Sequence, residues 1–159
     1  VDRDGVNVRS RTGYYALDAQ AWRKRQDEGT NAARLAGLAA TGVLFVAQPI
    51  KPKAPGQPAL IEILVDPSTI SFGAGPEDTY SIDLNFEVAA LKPDGKPEHV
   101  ETRTAAGDVR DTTYRQFLQS GIPMRVDMPL TAGRHLLRVT VRDNRTGHLG
   151  SLDVPLSTD

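Results

Sequence analysis

Tyr80, Ile82, Leu84, Phe86, Val88 and Ala90 alternate with Ser81, Asp83, Asn85, Glu87 and Ala89. A period of two puts the first set on one face of an extended strand, whereas a helix would spread it around its circumference. The stretch predicts a long strand with a dry face and a wet face, as in an antiparallel sheet packed on one side. The pattern recurs downstream. Ile122, Met124, Val126, Met128 and Leu130 alternate with Pro123, Arg125, Asp127 and Pro129. The two prolines remove backbone donors, which suits an edge strand or strand ends. His135, Leu137, Val139 and Val141 form a further alternating set, and Gly150, Leu152, Val154 and Leu156 a last one. Upstream, residues 43–47 read as a strand. Residues 60–65 read as another, with Ile61, Ile63 and Val65 on one face.

Turn signals separate these runs. Residues 51–58 hold Pro52, Pro55, Gly56 and Pro58 and predict a loop. Pro67 closes the second strand, residues 68–72 suggest a short strand, and residues 73–76 a turn. Pro93-Asp94-Gly95 is a turn in which proline presets φ and glycine accepts a positive φ. Residues 100–104 then pair back as a hairpin partner. Tyr114, Phe117 and Leu118 fit a short helical turn within 111–119. Thr131-Ala132-Gly133 is a turn, and residues 143–147 are a hairpin loop. Seven to eight short strands with such punctuation predict an all-β, immunoglobulin-like antiparallel β-sandwich. A small barrel is the alternative.

The first forty residues differ in character. Val6 and Val8 suggest a short strand, Asp18 can cap a helix that runs to Glu28 and carries Trp22, and Thr30 or Asn31 can cap a second helix over 32–40. The expected organisation is a partly helical N-terminal segment, 1–40, followed by the sandwich, 41–159. The segment packs on its neighbour or belongs to a preceding domain. The chain begins at Val1, which we read as a piece of a longer precursor.

Composition narrows the function. The 159 residues contain no cysteine, which excludes disulfides, thiolate metal sites and cysteine nucleophiles. The formal net charge of −1 is spread along the chain, with no basic stripe for nucleic acid. The longest apolar run, residues 42–47, is far below the ~20 residues that span a bilayer, so no membrane insertion is expected.

Two segments resemble a known family. They are residues 132–143 (Ala132-Gly133-Arg134-His135-Leu136-Leu137-Arg138-Val139-Thr140-Val141-Arg142-Asp143) with Thr146-Gly147-His148-Leu149-Gly150-Ser151, and Gly5-Val6-Asn7-Val8-Arg9-Ser10-Arg11-Thr12-Gly13-Tyr14-Tyr15-Ala16. Together they resemble the C-terminal region of the von Willebrand factor A-related proteins of acidobacteria. That resemblance implies an exported protein whose preceding von Willebrand factor A-type domain binds metal and ligands, and it assigns no activity to the C-terminal portion. The metal motif of the preceding domain is missing here. Asp66-Pro67-Ser68-Thr69-Ile70 comes nearest, but Ile70 offers no oxygen ligand, and the run reads as a turn after a strand.

Candidate chemistry is sparse. His135 and His148 flank the last hairpin and could approach across its ladder; with His99 they complete the histidines, and no third ligand accompanies the pair. No serine sits in a nucleophile elbow. Asp108 and Asp111 flank a loop that could hold calcium weakly, though solvated loop acids explain them as well. Arg23-Lys24-Arg25 reads as a solvated helix face, and Asn144-Arg145-Thr146 fits a glycosylation sequon within hairpin chemistry. Tyr14, Tyr15 and Trp22 pack onto the sandwich or a neighbour domain, or form a platform for sugar. No catalytic residue, metal site or cofactor is expected. The expected role is a non-catalytic, extracytoplasmic module for protein–protein contact or spacing, with a protein or the preceding domain as partner. Its contact surface should be an exposed apolar patch or an unpaired edge strand. A carbohydrate-binding module is the alternative.

Overall fold

The computed structural model describes residues 39–54 and 56–158. The strand expected at Val6–Val8 and both N-terminal helices lie outside them. Eight strands follow: β1 (Phe45–Ile50), β2 (Ala59–Val65), β3 (Gly73–Ala74), β4 (Thr79–Leu91), β5 (Pro97–Arg110), β6 (Ile122–Met128), β7 (Arg134–Asp143) and β8 (Leu149–Ser157). A single turn of 3-10 helix covers Pro67–Thr69, and helix α1 covers Asp111–Ser120.

The strands form two antiparallel sheets. One has the order β1-β2-β6. In the other, β4 lies between β5 and β7, and β8 pairs with β7. The short β3 pairs with Tyr80 and Ser81 on the β7 side of β4, past the point where β7 ends. This is the two-layer, immunoglobulin-like sandwich that the alternation predicts. Leu84, Phe86, Val88 and Ala90 of β4 are buried as the period of two requires. Leu137, Val139 and Val141 of β7 join them, and Ile61, Ile63, Val65, Val126 and Met128 face them from the other sheet. Apolar side chains from both inner faces thus leave water together, which is the main stabilising term of such a fold.

Several boundaries differ from the sequence reading. Residues 68–72 contain no strand. The Asp66 side chain accepts a hydrogen bond from the Ser68 backbone N–H at 2.9 Å, and this cap winds the chain into a 3-10 turn. Residues 73 and 74, expected in a turn, pair with β4 instead. The hairpin partner expected at 100–104 extends over fourteen residues, because the register with β4 continues from Pro97 to Arg110. The segment 111–119 is a full helix, placing Tyr114 at 3.8 Å from Tyr80 in a stacked pair and Phe117 against the core. The proline-bearing β6 is an edge strand of its sheet.

The loop between β7 and β8 is fastened by one carboxylate. Asp143 is fully buried and accepts from the Ser71 N–H at 2.8 Å, the Arg145 N–H at 2.9 Å and the Thr146 hydroxyl at 2.9 Å. Burying an ion is tolerated when donors satisfy it. These bonds tie the hairpin loop to the chain that leads into β3.

Candidate functional site

A groove runs along the outer face of the three-stranded sheet where it meets the end of α1. Its first wall is Leu44 and Val46. Antiparallel register sets Val46 directly opposite Leu64 on β2, so both point to the outer face. Leu118 of α1 closes the far side. The cavity is about 530 Å³, within the usual range for a small-ligand or side-chain pocket. Leu44, Val46, Leu64 and Leu118 are 48, 64, 41 and 50% exposed. Among the described residues six large apolar side chains stand exposed, and four of them line this one groove. Scattered exposed leucines are ordinary, but a cluster marks a contact surface.

Local chemistry holds the walls. The Asp66 N–H donates to the Leu44 carbonyl at 2.9 Å. The Thr69 hydroxyl accepts from the Leu44 N–H at 3.0 Å and donates to the Asp66 carbonyl at 2.8 Å. The start of β1 is thereby clamped to the 3-10 turn. At the helix end, the Gly121 N–H donates to the Phe117 carbonyl at 2.8 Å. Gly121 has φ 82° and ψ 173°, a region essentially restricted to glycine. A Cβ there would stand 2.8 Å from the Leu64 side chain. Glycine therefore lets the helix stop directly over β2 and turn into β6.

The rim carries one charge. The Ser68 hydroxyl and N–H both donate to Asp66 Oδ1, at 2.7 and 2.9 Å. They hold this exposed carboxyl below the usual carboxylate range, the hydroxyl having the larger effect. Beyond Val46 and Leu64 the depression is lined by charged side chains, with Arg125 bridging Glu62 at 2.9 Å. No histidine lines the groove, and its hydroxyls are committed locally: Ser120 donates to the Gln116 carbonyl at 2.8 Å. The arrangement suits apolar side chains entering from outside, with an acidic lip for a basic or N–H donor.

The residues nominated from sequence do not converge. His135 sits at the start of β7, opposite Leu156, with its ring at 2.8 Å from the Thr131 carbonyl. His148 lies at the opposite, loop end of the same hairpin, so the expected approach across the ladder does not occur. His99 contacts Glu101 at 2.9 Å. Asp108 lies near the end of β5, and Asp111 pairs with Arg115 at 2.8 Å within α1. Among the described residues no three metal-ligating side chains cluster. Asp66 caps the 3-10 turn, as the turn reading has it. Asn144 donates to Asp83 at 2.7 Å, and Arg145 donates to the Ser81 hydroxyl at 3.1 Å. Tyr14, Tyr15, Trp22 and Arg23-Lys24-Arg25 lie outside the described residues. The groove itself was not nominated. Its sequence signal was a leucine at 64 on the face that the Ile61–Ile63–Val65 alternation assigns to water.

No protein-family model matches the chain, and no curated protein matches it.

Proposed function

We propose that the chain is a non-catalytic β-sandwich module of a larger exported bacterial protein, and that it works by contact with a protein partner. The observation that carries this reading is the clustering of Leu44, Val46, Leu64 and Leu118 on one exposed groove. Four aliphatic side chains kept in water on rigid elements are a standing hydrophobic liability that docking relieves. The groove's apolar lining and its single acidic lip suit an extended segment carrying aliphatic side chains beside a basic residue. Export is supported by the resemblance of residues 5–16 and 132–151 to an exported family.

Selection of a displayed random-peptide library on the purified chain tests the proposal. Enriched peptides should carry paired aliphatic residues, and Val46→Asp or Leu118→Asp should weaken them by about tenfold or more, as loss of a central apolar contact does. Peptides that bind wild type and both variants equally would refute the groove as the contact surface. Hydrolytic turnover that co-purifies with the chain through repurification would refute the non-catalytic reading.

A further inference from the structure

Besides the two-residue β3, four strands end the two sheets: β1 and β6 in one, β5 and β8 in the other. Hydrogen bonds fix which of their residues face outward. The N–H and C=O of one residue point to the same side of an antiparallel strand, and neighbours alternate. The Asp66 N–H donates to the Leu44 carbonyl, so Leu44 aims at β2, while Phe45, Ala47 and Pro49 aim away. By the same alternation β2 turns Ile61 and Ile63 towards Val126 and Met124, which leaves Pro123 and Arg125 on the open side of β6. On β8 the Ser151 N–H donates to the Ala40 carbonyl, away from β7, and Pro155 faces the same way. Each of these three edges thus carries a proline, which has no donor, at an outward position where it obstructs strand addition.

The β5 edge is built differently. The Asn144 N–H donates to the Asp83 carbonyl on the β7 side of β4, so Leu84, Phe86 and Val88 aim at β5. Their partners Ala105, Arg103 and Glu101 aim back. Val100, Thr102, Thr104, Ala106 and Asp108 therefore face outward, and among the described residues β5 pairs with β4 alone. No proline interrupts this run, since Pro97 stands at the first residue of the strand. The run is symmetric about Thr104. A two-fold axis there sets Thr104 opposite its own copy, Thr102 opposite Ala106 and Val100 opposite Asp108, so that donors meet acceptors. Beyond them Glu98 and Arg110, both exposed and equally far from Thr104 along the chain, come together as opposite charges. Arg103 and Glu101 lie on the inner face, where an unrelated strand would cover them with its own side chains. A second copy in this register instead puts Ala105 opposite Arg103 and Gly107 opposite Glu101, and both charges stay hydrated. We infer that a second copy of this chain adds antiparallel to β5, about a two-fold axis at Thr104, and joins the two five-stranded sheets into one.

The chain has no cysteine, so an introduced thiol reports a single position. Thr104 and Thr102 are both exposed. Across the axis the two Thr104 Cα atoms stand about 5.5 Å apart, within disulfide reach, and the two Thr102 Cα atoms more than about 10 Å apart. Under mild oxidation of the full chain, Thr104→Cys should form disulfide-linked dimers at least about tenfold faster than Thr102→Cys, each rate being divided by that with a small disulfide reagent. Sedimentation equilibrium of the wild-type chain should show a monomer–dimer equilibrium. Arg110→Glu should weaken it by at least about threefold, and adding Glu98→Arg should restore it. Equal normalised rates for the two thiols overturn the inference, as does a wild-type chain that stays monomeric up to about 1 mM. An association that Val46→Asp abolishes overturns it too, since it would belong to the groove. If Arg110→Glu, at the cap of α1, does not fold, the two thiols decide the matter.

Discussion

Gly121→Ala is the sharpest test of how the groove is built. Glycine occupies φ 82°, ψ 173°. An alanine held there is strained by about 1–3 kcal/mol. Its methyl group would also stand 2.8 Å from Leu64 Cγ and Cδ1 and 3.1 Å from the Val65 carbonyl oxygen. The leucine is half-exposed and can swing aside, which costs about 0.5–1.5 kcal/mol if it leaves its rotamer. The carbonyl belongs to a paired strand and cannot. Together these effects lower stability by roughly 2–4 kcal/mol, a large share of the 5–15 kcal/mol typical of a domain. Urea denaturation followed by far-ultraviolet circular dichroism reads the change, and the melting temperature should fall by about 5–12 °C. Gly95→Ala is the control. It shares the positive φ, at 80°, but has nothing within 4 Å of the added methyl, so it should lose only about 1 kcal/mol. If Gly121→Ala were no worse than Gly95→Ala, the close approach of the helix end to β2 would not matter energetically. If it were within about 0.5 kcal/mol of wild type, the strain argument would fail as well.

Three further outcomes are expected. Asp143→Ala strands the Ser71 and Arg145 N–H groups and the Thr146 hydroxyl, so equilibrium unfolding should show a loss of about 2–4 kcal/mol; a neutral result would mean that water replaces the carboxylate. The His99 hydrogen bond, and secondarily Arg103, holds the half-buried Glu101 carboxyl below its ordinary value. A depressed carboxylate contributes stability that is fully present above the unfolded pKa of about 4.3 and disappears as pH falls through the folded value. In a carbon-detected NMR titration His99→Gln should raise the Glu101 midpoint, and an unmoved midpoint would remove the assigned cause. Val46→Asp and Leu118→Asp should leave stability within about 0.5 kcal/mol of wild type, because both side chains already stand in water; a cooperative loss on urea titration would make them core residues rather than contact residues.

The parts of the fold legible in the sequence are those where one face of a strand is wholly dry. β4 and β7 are central in their sheet, so burial imposes strict alternation on Leu84–Val88 and Leu137–Val141. Of β5 only residues 100–104 were legible, because it is an edge strand. His99, Glu101 and Arg103 lie on the same face as Ala90, Val88 and Phe86, yet at the margin of the sandwich, where charge is tolerated. No hydrophobic period survives in such a strand, and only its pairing with β4 reveals its length. Inward-pointing charges on an edge also discourage pairing with an unrelated chain. The groove was illegible for a different reason. Leu44 and Val46, Leu64 and Leu118 come from three separate segments, and only register on β1 and β2 and the stopping point of α1 bring them together.

The pairing of β2 with β6 has a kinetic consequence. The β4–β5 and β7–β8 ladders are hairpins whose strands follow one another, so each closes a short loop. Ala59 meets Met128 only after β3, β4, β5 and α1 have been laid down between them. Closing that interval carries the larger entropic penalty, and contacts so distant in sequence slow folding. β6 is thus expected to dock after the hairpins have formed. Leu118 and Gly121 arrive over Leu64 in the same step. The groove therefore exists only in the finished molecule, and a partner of the kind proposed would distinguish a completed domain from a folding intermediate.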